Sequence, residues 1–173
     1  MTKITSKTRA TLMQTLAILG ILTIFLFLSF KPLPLNKKTI VIDAGHGGND
    51  IGAQIGAEQE KKIVENIAHK ISLLNLNGKD NIEIILLRKD DSFINLSERV
   101  SKINKINPNL VISLHVNASK DLNENGVNAF VSKQNVFYEK SKESAKKLVD
   151  KISNEKLAKG EVKNADYSVL KNS

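Results

Sequence analysis

The sequence predicts the α/β class: a single domain with a mostly parallel sheet flanked by helices on both faces, preceded by one N-terminal transmembrane helix. Three observations predict it. From residue 39 onward, short β-branched or aliphatic runs alternate with stretches of helical periodicity, the pattern of strand–helix–strand units. The chain has 173 residues, 41% hydrophobic and 25% charged, which suits one folded domain and not a disordered chain. Residues Thr11 to Phe30 form a 20-residue run with no charge.

That run, TLMQTLAILGILTIFLFLSF, makes a helix about 30 Å long, enough to cross a bilayer core. Lys3, Lys7 and Arg9 precede it, which favours a cytoplasmic N-terminus over residues 1–10 and sends the rest across the membrane. The rival reading of 11–30 is a cleaved secretory signal, which would leave the domain secreted. Against cleavage, the run is long for a signal core and ends in SFKPLPL without an A-x-A-like site. Residues 31–38, with Pro32 and Pro34, read as a short stiff linker. The domain at 39–173 is therefore expected outside the cytoplasm, in the periplasm or at the cell wall.

The net charge of +8 is unevenly placed. Lys3, Lys7, Arg9, Lys31, Lys37 and Lys38 occur before residue 39 with no acid, leaving 20 basic against 18 acidic residues behind them. A nearly neutral domain is not expected to bind nucleic acid. The lack of Trp and the presence of only two Tyr remove the aromatic platforms that single strands stack on. The absence of Cys excludes disulfides, thiol catalysis and Cys-based zinc sites.

Along the domain, TIVID at 39–43 ends in a Gly-rich turn and reads as a strand. Ile63, Val64, Ile67, Ala68, Ile71 and Leu74 recur at helical spacing over 60–76, with Asn77 and Gly78 as the stop. IEIILL at 82–87 is a second strand. Asn95 followed by Glu98 resembles a capping box opening a helix to about Ile106. Pro108 and Asn109 break the chain before LVISLHV at 110–116, a third strand. Residues 126–132 read as a fourth strand, 139–158 as a long helix and 167–170 as a last short strand.

Three polar residues interrupt these patterns. His46 lies in DAGHGG, just beyond the first strand; a plain turn or a phosphate-binding loop are its bland readings, although the G-x-G-x-x-G and P-loop patterns are absent. Glu60 opens the first helix, where any acid complements the helix dipole. With Ile63 set at zero, however, it falls at about 60°, inside an apolar stripe running from 0° to about 140°, whereas Glu65 and His69 fall outside it. A carboxylate on an inward face requires a partner. His115 ends the third strand, sharing a face with Val111, Ser113 and Asn117; its bland reading is a satisfied core histidine. In a parallel sheet the carboxyl ends of the strands share one edge, so these three side chains would converge there. Two imidazoles and a carboxylate around one point suit a catalytic zinc ion with an open fourth position.

VIDAGHGGND, a glutamate opening the next helix, LLRKDD, NLSERV and VISLHVNAS, in that order, resemble the zinc-dependent N-acetylmuramoyl-L-alanine amidases (the Amidase_3 family). The resemblance covers 39–173. It implies an α/β fold, Zn2+ held by His46, Glu60 and His115, and hydrolysis of the amide joining N-acetylmuramic acid to L-alanine in peptidoglycan. Asp43 and Asn117, beside the ligand turns, are candidates for orienting the ligands. The resemblance also implies a second glutamate that moves the proton of the attacking water, carried on a P-x-x-L-x-E strand that follows a segment like ADYSVLKNS. The sequence stops at Ser173, before such a strand, so the domain is expected to be incomplete at its C-terminus. Glu139, Glu143, Asp150 and Glu155 lie on a charged amphipathic helix and read as a solvated face. Two other readings are carried alongside: a non-catalytic zinc-containing protein that binds peptidoglycan or a partner, and a nucleotide- or phosphate-binding protein using the GHGG turn. An activator protein is left open.

Overall fold

The computed structural model describes residues 13–20, 37–76, 81–117 and 125–173. The chain divides into two compact units, 1–36 and 37–173. In the first, residues 13–20 are helical; the rest of the expected membrane span at 11–30 lies outside the described residues. Among the described residues no helix is long and apolar enough to cross a membrane.

The second unit is an α/β domain. Strand β1 (Lys38–Ala44) is central, with β4 (Ile82–Leu86) on one side and β5 (Leu110–Leu114) on the other, all parallel. Between β1 and β4 come a two-residue hairpin, β2 (Gln54–Ile55) and β3 (Glu58–Gln59), and helix α1 (Glu60–Leu76). Helix α2 (Leu96–Ile106) joins β4 to β5. A second parallel pair, β6 (Val127–Val131) and β7 (Lys159–Asn164), flanks α3 (Tyr138–Ile152), and α4 (Ser168–Asn172) follows. The parallel strands thus form two ladders instead of the one expected sheet; among the described residues no ladder joins β5 to β6.

Alternation along β1 separates two layers of core. Ile42 and Ala44 pack against Val64 and Ala68 of α1 on one face. Val41 packs with Leu87, Ile103 of α2 and Val169 of α4 on the other. Helices therefore cover both faces, each buried aliphatic side chain contributing about 1.5–3 kcal/mol. Helix α2 starts where the sequence indicates: the Asn95 side chain accepts the Glu98 N–H, and Asn107 closes the helix in the left-handed conformation with φ 51°.

The inward stripe of α1 is rotated from the one its apolar residues suggest. Glu60, Lys61, Val64 and Ala68 are buried, at about 60° to 160° on the helical wheel, while Ile67 is 40% and Leu74 73% exposed. Polar partners waiting at the strand ends draw Glu60 and Lys61 inward, and the rim aliphatics turn outward.

The C-terminal expectations need correction. The long helix stops at Ile152, not Ala158, because Ser153 is extended and the Asn154 side chain accepts the N–H groups of Lys156 and Leu157 in a turn. Residues 153–158 form the turn, and 159–164, given no element in the sequence reading, become β7. Residues 167–170, expected as a strand, lie at the start of α4. Packing of Val169 against Val41, Leu87 and Ile103 decides this, and the Asn104 side chain satisfies the Asn172 carbonyl at the helix end. Tertiary contact here overrides β-propensity.

Replacing Ile103, 1% exposed, by Ala is expected to lower unfolding free energy by about 2–5 kcal/mol. Leu74→Ala on the outward rim of α1 is expected to change it by no more than about 0.5 kcal/mol. Urea denaturation of the two variants checks both values; equal losses would contradict the rotated stripe.

Candidate metal centre

The register of β1 and β5 sets Ala44 beside Leu114, and the Gly45 N–H donates to the Leu114 carbonyl at 3.0 Å. The chain leaves β1 through α1 toward β4, then crosses to β5 on the opposite side of β1. The carboxyl ends of β1 and β5 are thus a topological switch point, where an open parallel sheet leaves a crevice. The GHGG turn and His115 meet there.

Close approach dictates the glycines of this turn. A Cβ on Gly45 would stand 2.3 Å from Cε1 of His115. One on Gly52, which has φ +67°, would stand 2.7 Å from both Glu60 Oε2 and His46 Cδ2. His46 itself is held at φ 61°, a left-handed conformation that costs a β-carbon residue roughly 1–2 kcal/mol. Paired backbone bonds between Gly47 and Asp50, at 2.9 and 3.1 Å, close the turn behind it.

Glu60 is the centre of the group. It is 6% exposed and begins α1. Its Oε1 accepts the Val116 N–H at 2.7 Å and faces His115 Nδ1 at 3.2 Å. Its Oε2 accepts the Ala53 N–H at 2.9 Å and faces His46 Nε2 at 3.2 Å. Burial pushes the Glu60 carboxyl up, but the Ala53 and Val116 N–H groups and then the two imidazoles more than offset it and hold it below the usual glutamate range. Nδ1 of His46 donates to Asp50 at 2.9 Å, which leaves Nε2 turned toward Glu60. Asp50 also accepts the Gly52 N–H; burial raises its pKa, and the His46 and Gly52 hydrogen bonds outweigh that and lower it. The imidazoles of His46 and His115 meet edge to face, centroids 5.0 Å apart. One donor atom from each of His46, Glu60 and His115 lies within 4.8 Å of the others, a donor set and spacing able to hold a metal ion. The His115 side chain is 48% exposed against 21% for His46, so the group opens to solvent on the His115 side.

Beneath the turn lies a layer of buried cations. Arg99 of α2 donates to the carbonyls of Ala44, His46 and Ile94 and pairs with the Asp43 carboxylate. Arg88, just past β4, donates to the carbonyls of Ala44, Gly45, Lys61 and Asp90 and pairs with Glu65. Lys61 donates to the Gly48 carbonyl at 2.8 Å and to Asp91 at 2.6 Å. Among the described residues no buried side-chain nitrogen or oxygen lacks a partner.

Of the residues singled out in the sequence, His46, Glu60 and His115 come together. His69, 44% exposed and 3.8 Å from Glu65, lies outside the group. Asp43 touches neither imidazole: its carboxylate is committed to Arg99 and Ser113, because alternation puts it on the α2 face of β1. Asp50 takes the orienting position instead. Asn117 is exposed and borders a small cavity beside Glu60. Sequence reasoning missed Asp50, Lys61, Arg88 and Arg99. Arg99 had a usable signal, since with Ile103 and Ile106 it forms an i, i+4, i+7 face. Asp50 lies in an aperiodic turn that offers none.

The N-acetylmuramoyl-L-alanine amidase family model matches residues 40–173. A provisionally named N-acetylmuramoyl-L-alanine amidase of Buchnera aphidicola subsp. Baizongia pistaciae is 40% identical over 99 residues, 56% of this chain and 45% of that protein. The chain thus spans less than half the length of this curated relative. The crystal structure of an N-acetylmuramoyl-L-alanine amidase from Clostridium difficile 630 superposes with a TM-score of 0.71 at 29% identity, covering 80% of this chain and 75% of that one. The CwlD amidase from Clostridioides difficile, solved in complex with the GerS lipoprotein, superposes with a TM-score of 0.55 at 30% identity, covering 78% and 76%.

Removing the Arg99 guanidinium by Arg99→Ala strands the Asp43 charge and takes this donor from the His46 and Ile94 carbonyls, Ala44 keeping Arg88, and is expected to cost about 3–5 kcal/mol. Adding Asp43→Asn removes the stranded charge and is expected to recover part of that loss, read from urea midpoints of the single and double variants.

Proposed function

Because the chain belongs to the N-acetylmuramoyl-L-alanine amidase family, we propose that its 39–173 domain is a zinc-dependent hydrolase cleaving the amide between N-acetylmuramic acid and L-alanine of peptidoglycan. The observation that carries this reading is the meeting of His46, Glu60 and His115 at the sheet's carboxyl edge. Their donor set, two imidazole nitrogens and one carboxylate, is that of catalytic zinc sites with one position left for water or substrate. His46 Nε2 stands 3.2 Å from Glu60 Oε2 and His115 Nδ1 stands 3.2 Å from Glu60 Oε1, so the carboxylate lies between the two imidazoles.

Zinc bound there supplies Lewis-acid polarisation of the scissile carbonyl and makes water acidic enough to attack near neutral pH. The chain's own residues hold and orient. Asp50 keeps the His46 proton on Nδ1 and so presents Nε2. The N–H groups of Ala53 and Val116 anchor both Glu60 oxygens and keep the carboxylate ionised. Asp50 is engaged by His46 and Gly52, so it is a positioning residue; the family resemblance gives the water's proton to a glutamate on another strand. The solvent-open side at His115 is where a polymeric substrate gains access.

The same reading puts residues 1–10 in the cytoplasm, 11–30 across the membrane or removed as a signal, 31–38 as a linker and the domain outside, where its substrate is. A periplasm-dependent reporter fused after Ser173 is expected to be active, and a signal from a cytoplasm-dependent reporter alone would overturn this placement. The GerS complex of the CwlD amidase supports a partner protein for this chain as well, with co-purification from membranes as its check.

The zinc-loaded full chain is incubated with purified peptidoglycan, and stem peptides beginning at L-alanine, identified by mass spectrometry and lost on chelation, are the products that establish the hydrolase. One bound zinc per folded chain with no release would replace the hydrolase by a zinc-containing binding protein. Glu60→Gln is expected to reduce zinc occupancy from one per chain to under about a tenth. Asp50→Asn, which disturbs only ligand orientation, is expected to weaken zinc binding by about 10–100-fold, measured by chelator competition.

A further inference from the structure

Helix α3 and strand β7 enclose a groove of about 420 Å³, lined by Lys142, Lys146, Val149 and Asp150 on the helix and by residues 159–162 on the strand. None of these belongs to the metal group. No residue of β6 lines the groove, so it follows the side of β7 that β6 leaves uncovered. We propose that this groove receives an extended acidic segment of a partner protein, which pairs with the outer edge of β7 and sets its carboxylates against Lys142 and Lys146.

Backbone alternation supplies the edge. The Glu161 N–H donates to the Asn128 side chain at 3.0 Å, and the Ala165 N–H donates to the Val131 carbonyl at 3.0 Å. The odd-numbered residues here thus turn toward β6. The N–H and C=O groups of Val162 and Asn164 point the other way, and among the described residues no strand pairs with them. An incoming strand finds donors and acceptors in alternation, the arrangement by which exposed sheet edges take up extended peptides. A phosphate polymer offers acceptors alone and would leave both carbonyls unused.

Charge supplies the preference. Asp150 is taken by Lys159 at 2.5 Å, and Lys147 of the same helix by Glu143 at 2.6 Å. Lys142 lies 5.6 Å from the Tyr138 ring, and among the described residues neither it nor Lys146 has a carboxylate partner. Lysines on an edge strand guard it against pairing. These two stand instead on the facing helix, one turn apart, where they overlook whatever joins the edge. Val162 is half-buried and lines the groove with them, and alternation puts Glu161 and Lys163 on the other face of β7. Acids are therefore favoured at every second position of the segment, those turned toward α3. A second copy of this chain suits the groove poorly, because two-fold pairing of β7 edges would bring another set of lysines to the first.

The test titrates the ¹⁵N-labelled full chain in mild detergent with capped peptides. These are acetyl-Glu-Thr-Glu-Thr-Glu-Thr-amide, its counterpart with Lys for Glu, and its counterpart with Pro for Thr, which keeps the charge but loses ladder donors. The Glu-Thr peptide is expected to bind saturably and shift the Val162 and Asn164 amide signals, and the other two to bind at least about ten-fold more weakly. Lys142→Gln combined with Lys146→Gln is expected to weaken the Glu-Thr peptide about three- to ten-fold. Val162→Pro deletes a donor on the outer edge and none facing β6, so it is expected to abolish binding at an unchanged circular dichroism spectrum. Equal binding of the Glu-Thr and Glu-Pro peptides, unmoved Val162 and Asn164 amides, or a double lysine variant that binds as before would each overturn the proposal. So would inorganic polyphosphate outcompeting the Glu-Thr peptide at the same amides, which assigns the groove to a phosphate polymer. A concentration-dependent dimer in sedimentation that Val162→Pro abolishes would also overturn it, assigning the edge to a second copy. None of these readouts uses zinc uptake or hydrolysis, so the amidase reading stands or falls separately.

Discussion

Two buried guanidinium groups satisfy the backbone carbonyls where β1 ends, and the arrangement of the site depends on them. Ala44 ends β1 and Gly45 and His46 leave its ladder, and each buried acceptor left unpaired would cost about 1–3 kcal/mol. Arg88 and Arg99 reach these three carbonyls from the end of β4 and from α2. A planar fork with several donors is suited to this in a way a lysine ammonium is not. The arginines in turn require buried counter-charges, which Asp43 and Glu65 provide. The left-handed φ of His46 is therefore held by a charge network drawn from β1, α1, β4 and α2, so the imidazole is aimed before any ligand arrives.

Glu60 connects that network to the chemistry. As the first residue of α1 it is placed at the positive end of the helix dipole, and it takes two backbone N–H donors besides. A carboxylate with this many donors is stable as an anion while buried, which is the state a metal ligand must have. Its immediate neighbour Lys61 turns the other way to the Gly48 carbonyl and Asp91. One helical turn thus locks both sides of the GHGG loop. The hairpin that leads into α1 serves the same carboxylate through Ala53 and also walls the small cavity beside it.

Much of this was legible in the sequence. The period-2 and period-3.6 patterns of β1, α1, β4, α2 and β5 located these elements, and the Asn95 cap marked the start of α2. The position of Glu60 on an apolar stripe, and of His46 and His115 at strand ends, pointed to a group able to hold a metal ion, because a charged side chain on an inward face has to be partnered. The C-terminal third was read less well. Its strand at 159–164 is rich in Lys, Glu and Asn, and its final helix carries β-branched Val169, so local propensity pointed away from both.

The sequence by itself determined the class of fold, the order of its principal elements and the identity of the three converging side chains, since periodicity and the cost of burying charge are local properties of the chain. Tertiary structure alone decided which carboxylate serves which partner. Asp43 and Asp50 are both acids near His46, but β-strand alternation sends Asp43 down to Arg99 and Ser113 while the closed turn brings Asp50 up to the imidazole. The choice rests on the register between β1 and β5 and on where α2 packs, contacts between residues more than fifty positions apart, and such distances are set only when the chain has folded.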